Sequence, residues 1–251
     1  MFKSYLLMLS AALALGLPSG SSCAPSPKTP TLPQTGGATN LPAPPAGSKL
    51  LHIALGFGIQ NYTCASVGAT PTATGALAML YDITDFYPGQ GKKSLSQKDW
   101  DGLTSRALWT QNVPLNFNKS SAGRVDARYP GASQTNPFTK DAPLCLRGMR
   151  ELPFLGHHLF TSAGVPNFIL EGGKINMLAG KNAGVDAPTN ADKGRDGTGA
   201  VAWLQLGAKD GSIGNAKLVY RVLTAGGNSH GCAKAAGQDS TSYTAQYWFY
   251  G

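Results

Sequence analysis

The sequence predicts an all-β domain, an antiparallel β-sandwich or barrel with a long irregular loop insertion and at most one or two short helices. Three observations carry this expectation. Glycine (32) and proline (17) are abundant while charged residues make up only 14%, a balance that favours turns and strands over helices. Apolar residues recur with period two in segment after segment, the spacing of a strand. The chain ends in the aromatic run "YTAQYWFY", residues 243–250, whose residue types favour a pleated surface.

Residues 1–22 read as a secretory signal: Lys3 supplies the positive start, Tyr5 to Leu17 the apolar stretch, and "PSGSSCA" the small-residue cleavage region. The apolar stretch is shorter than the roughly 20 residues a bilayer span needs. The protein is therefore expected to be secreted and extracellular, with no membrane contact after cleavage. Residues 23–47, rich in Pro, Thr and Gly with little apolar bulk, read as an extended linker or propeptide. The remaining residues 48–251 suffice for a single β domain with its own core.

The first strand is "HIALGFGIQNYTC", 52–64. Ile53, Leu55, Phe57 and Ile59 alternate with His52, Ala54, Gly56, Gly58 and Gln60, so one face is expected to pack inward and the glycines to lie on the other. The same stretch superficially matches a dinucleotide fingerprint, with Asp82 downstream. The third glycine is replaced by Asn61, however, and no helical rhythm follows to hold a pyrophosphate. No cofactor is expected. Further strands are read at 75–83, at 156–160, in a hairpin over 165–178 turning at Gly172-Gly173, and at 200–206, 217–224 and 243–250. The pattern weakens over about 84–154, read as the insertion. It contains one short helix, with Ser96 as N-cap, Asp99 at the third position, and Trp100, Leu103 and Leu108 on one face.

The formal charge is +8. The Lys and Arg residues are scattered, and no basic-aromatic motif appears, so nucleic acid is not an expected partner. Of the four Cys, Cys23 sits at the signal boundary. Its removal leaves Cys64, Cys145 and Cys232 to form one bridge and one free thiol; if it survives, Cys23–Cys145 is open as well.

Together, "GFGIQNYTC", "GHHLF", "AVAWLQL", "VYRVLTAGGNSHGC" and "YTAQYWFY" resemble the secreted family labelled domain of unknown function 3455. The resemblance is to its fungal branch and covers residues 48–83 and 155–250. Members of that family often carry the label malate dehydrogenase, an activity that the failed fingerprint argues against here. The resemblance implies a fold and a compartment but no catalytic residues. It also implies that the Cys of Q-N-Y-T-C pairs with that of G-C, giving Cys64–Cys232 and leaving Cys145 free.

Candidate chemistry is sparse. His157 and His158 are adjacent on a strand and so point to opposite faces. Either of them, joined by His230 from the glycine-rich loop, would suit a copper or zinc ion. Asp82 and Asp85 are expected to cap a turn. No nucleophile elbow, phosphate loop or selected carboxylate pair occurs. Asn61 and Asn118 begin N-glycosylation sequons, with Asn118 the more accessible. Trp203, Tyr247, Trp248 and Tyr250 are read mainly as core, with a sugar-stacking platform as the other use. The leading expectation is a monomeric cell-wall or surface protein binding polysaccharide or a host-surface ligand. The rival is a secreted hydrolase or metal-dependent enzyme built on His157, His158 and His230. A small-molecule carrier would need an enclosed apolar cavity.

Overall fold

The computed structural model describes residues 28–118, 131–133 and 135–251. The signal, Cys23, and Lys119 and Ser120 of the second sequon lie outside them.

Eight antiparallel strands close into a barrel in chain order. They are β1 (Leu50–Cys64), β2 (Thr72–Asp82), β3 (Phe154–Phe160), β4 (Pro166–Leu170), β5 (Ile175–Val185), β6 (Trp203–Ala208), β7 (Leu218–Gly226) and β8 (Gly237–Tyr250). The aromatic C-terminal strand closes it, pairing with β1 from Leu50↔Tyr250 to Cys64↔Gly237 and with β7 on its other edge. Closure removes both sheet edges, so every strand finds two ladder partners.

The insertion between β2 and β3 carries α1 (Gln97–Asp101) and α2 (Leu103–Thr110). Ser96 Oγ accepts from Asp99 N at 3.1 Å and donates to the Asp99 carboxylate at 2.7 Å, the expected cap. Just after β2, Asp82 Oδ1 accepts from both the backbone N and the Oγ1 of Thr84, at 2.8 and 2.6 Å. Asp82 therefore caps the turn, while Asp85 pairs with Lys93 at 2.8 Å.

The helices sit outside the barrel and create a second core. Ile53, Leu55, Phe57 and Ile59 pack outward against Trp100, Leu103 and Leu108, not toward the barrel axis as their alternation suggested. The other β1 face is equally buried. Ala54 joins Phe168, Met177, Val219 and Tyr247 in the interior cluster. Period two identified which residues share a face, but both faces of this strand are covered. The small face leaves room for a large side chain at Gly56 and for a close-lying neighbouring strand at Gly58. A Cβ on Gly56 would meet the Tyr247 ring at 2.4 Å, and one on Gly58 would meet the Leu77 carbonyl at 1.8 Å. The strand runs unbroken through both glycines, so no cofactor turn forms there.

Residues 28–47 have no regular secondary structure but are not detached from the domain. Leu32 and Leu41 are buried in the outer core, and Thr31 N donates to the Tyr87 hydroxyl at 3.2 Å. Two isolated leucines in a Pro-rich stretch have no periodicity to show that they pack.

Candidate functional site

At one end of the barrel the wall opens. The ends of β1, β2, β3, β4 and β6 at this opening, Arg221 of β7, Tyr247 of β8 and the loops after β5 and β7 surround a cavity of about 330 Å³. Phe160, Pro166, Leu204 and Leu206 give it apolar walls, and Gln60, Tyr62, His158, Arg221 and Asn228 supply its polar groups. The rim is laced together. Val201 N donates to Gly226 O at 3.0 Å, Asn228 N to Gly199 O at 3.1 Å, and Thr224 Oγ1 to Val201 O at 2.7 Å. The Cys64–Cys232 disulfide fixes the β7–β8 loop to the end of β1, and Gly68 N donates to Cys232 O at 2.8 Å. The pairing implied by the family resemblance is the one present, and Cys145 is exposed with no disulfide partner among the described residues.

Strand parity puts His158 inside this barrel and His157 outside it. His158 is stacked on Phe168, centroids 4.1 Å apart, and its Nδ1–H donates to Asn167 O at 3.0 Å. A carbonyl can only accept, so Nδ1 holds the proton and Nε2 is left as an acceptor. Burial pushes the His158 pKa down to about 4, outweighing the help from Asn167; the nearby Arg221 charge adds to the depression. The imidazole is therefore neutral at physiological pH.

Arg221 projects from the inner face of β7 between Leu204 of β6 and Tyr247 of β8. Its Nε and Nη2 both donate to Ala202 O, at 3.2 and 2.8 Å. Among the described residues no carboxylate pairs with it. Tyr62 donates its hydroxyl to Gly227 O and Gln60 Nε2 donates to Gly75 O, each at 2.7 Å, so the Tyr62 hydroxyl hydrogen and one of the two Gln60 amide hydrogens are engaged. Burial raises the Tyr62 phenol to about 12, and Tyr243 and Tyr247 share a hydroxyl–hydroxyl contact of 2.8 Å.

The three histidines considered for a metal have separate partners. His157 stacks on Phe138 at 4.1 Å outside the barrel. Its Nε2 is 3.0 Å from Asp141 Oδ1 but off the line a hydrogen bond needs. His230, on the rim, faces Asp239 Oδ1 through Nδ1 at 2.8 Å and Asp196 Oδ1 through Nε2 at 3.8 Å. The second Asp239 oxygen accepts from Ser229 Oγ at 2.7 Å and His230 N at 2.9 Å. Burial pushes that carboxyl up, but these hydrogen bonds outweigh it and the pKa ends below its ordinary value. Both His230 nitrogens thus face carboxylates, and Ser229 is spent on Asp239, so the group lacks the nucleophile–base contact of a hydrolase. Among the described residues no cluster of three or more His, Cys, Asp or Glu side chains converges as metal ligands do.

Asn61 is half-buried, its Oδ1 accepting from Ser240 Oγ at 2.6 Å, whereas Asn118 is exposed with Nδ2 donating to Ala132 O at 3.0 Å. Trp203, Tyr247, Trp248 and Tyr250 are all buried, so they form no surface platform for a sugar. Sequence reasoning missed Arg221 as a site residue. The available signal was a lone charge on the inward parity of an otherwise apolar strand.

The description "Protein of unknown function (DUF3455)" belongs to a family whose model matches residues 45–251. No curated protein and no solved structure matches the chain.

Proposed function

We propose a function for the chain, which belongs to the family of Protein of unknown function (DUF3455): it is an exported binding protein that takes a small, largely apolar ligand into the mouth of its barrel. The observation that carries this reading is the cavity of about 330 Å³, apolar-walled with a few convergent polar groups. That is the size and character of a small-molecule site. The laced, disulfide-tied rim supports it further, because a preformed site spends less binding energy on ordering. The polysaccharide reading keeps export and the sequons as support but loses its aromatic platform to the two cores.

The test is fluorescence enhancement of the neutral probe 1-aminoanthracene. Wild type is expected to bind it. Ala73→Trp, which narrows the exposed rim, and Leu204→Trp, which fills the cavity, are expected to abolish binding while the proteins stay folded by circular dichroism. Enhancement unchanged in both variants, or absent from wild type, refutes the reading. Retention on insoluble chitin, glucan or cellulose, unaffected by Ala73→Trp, would move the ligand site to the outer surface.

A further inference from the structure

We infer that the ligand of the barrel mouth is an anion, a small organic carboxylate with an apolar body, and that Arg221 is its counter-charge; this rests on the mouth being a ligand site. Arg221 stays protonated at any physiological pH. Charges withdrawn from water into apolar surroundings are normally paired, because the desolvation cost is otherwise uncompensated. Here the fold places a half-buried guanidinium among Leu204, Leu206, Phe160 and Tyr247 and gives it one backbone carbonyl, that of Ala202. This engages two of the five guanidinium N–H donors. Nη1 and the second Nη2 hydrogen have no carbonyl or carboxylate acceptor among the described residues; the Tyr247 hydroxyl approaches the guanidinium but is neutral and cannot balance its charge, so the end of the fork remains suited to a carboxylate.

The neighbouring groups do not replace a ligand. The rim carboxylates Asp196 and Asp239 both face His230, and Asp239 also holds Ser229. His158 is neutral, so it adds no second cation and offers only the Nε2 lone pair. Tyr62 has committed its hydroxyl hydrogen and Gln60 one of its two amide hydrogens to backbone carbonyls, and both side chains are neutral. Among the described residues Arg221 therefore has no carboxylate partner in an apolar-walled mouth, and the chain's +8 formal charge favours the approach of anions. An apolar body fills the wall while the carboxylate neutralises Arg221. A neutral ligand leaves that charge desolvated and unpaired, and an amine adds repulsion.

The experiment is displacement of bound 1-aminoanthracene by three probes that share one body: cinnamate, cinnamamide and cinnamylamine. Cinnamate is expected to displace the dye at about 10- to 100-fold lower concentration than cinnamamide, the worth of a charged hydrogen bond. Cinnamylamine is expected to be the weakest. Arg221→Met should erase the preference for cinnamate, and Arg221→Lys should keep part of it. The wild-type charge series needs no variant, so misfolding of Arg221→Met leaves the test intact. Equal displacement by cinnamate and cinnamamide overturns the anion inference while the dye result keeps the mouth as a site. So does displacement by cinnamylamine alone or by none of the three. Failure of the dye itself to bind overturns both.

Discussion

Gly56 and Tyr247 share one space inside the barrel: a Cβ on Gly56 would sit 2.4 Å from the Tyr247 ring. The tyrosine is fully buried between Phe168 and His158, at centroid distances of 5.5 and 5.6 Å, so the ring has no slack. Gly56→Ala is expected to cost about 1–3 kcal/mol through overpacking. The double variant with Tyr247→Leu should cost less than the sum of the two single changes, because the smaller side chain relieves the clash. Urea unfolding of the four proteins checks it; simple additivity would show that the two residues do not compete.

Two histidines are expected to move stability in opposite directions with pH. His158 has a folded pKa of about 4, below its ordinary 6.5. As the solution is acidified, the unfolded chain takes up the proton first. The stability held by neutral His158 is present above pH 6.5 and is lost as pH falls toward 4, an effect of roughly 3 kcal/mol. His158→Phe should flatten that acid limb. His52, at the opposite end of the barrel, is bridged by Asp82 at 3.0 Å and Glu171 at 2.7 Å. The hydrogen bond to Asp82 and then that to Glu171 raise its pKa against the opposing effect of burial. Its contribution is fully present below pH 6.5 and is lost as pH rises through the raised folded value. His52→Gln should therefore destabilise at pH 6.5 or just below and become nearly neutral at alkaline pH. Unfolding free energies measured across pH test both signs. A His52→Gln penalty that grows with pH would contradict the assignment.

The Cys64–Cys232 bridge spans a sequence separation of 168 residues and ties the rim of the mouth. Replacing both cysteines with serine is expected to lower stability by about 2–4 kcal/mol, since the bridge restrains a long loop in the unfolded chain. It should also weaken dye binding, because the β7–β8 loop loses its tether. Urea midpoints and dye titration read the two effects separately. A midpoint unchanged from wild type would mean that the β1–β8 ladder already provides the restraint.

The strands, the helix cap and the insertion are legible in the sequence, because each is written in local chemistry. The alternation of Ile53, Leu55, Phe57 and Ile59 is a backbone period. Ser96 and Asp99 meet within one turn, and Gly172-Gly173 marks the hairpin between β4 and β5. The family resemblance supplied the Cys64–Cys232 pairing. Which side of β1 faces the barrel axis is set by packing between distant elements. A period of two separates two faces but assigns neither, and α1 and α2 cover the outward one. The same limit hid the site. His158 was visible as a polar residue in an apolar strand, but its neutrality comes from burial and from Asn167, across the β3–β4 ladder. Arg221 reads locally as an ordinary strand residue. It becomes an unpaired charge in a cavity only when closure brings Ala202, Leu204 and Tyr247 around it, because desolvation and pairing depend on neighbours distant in sequence.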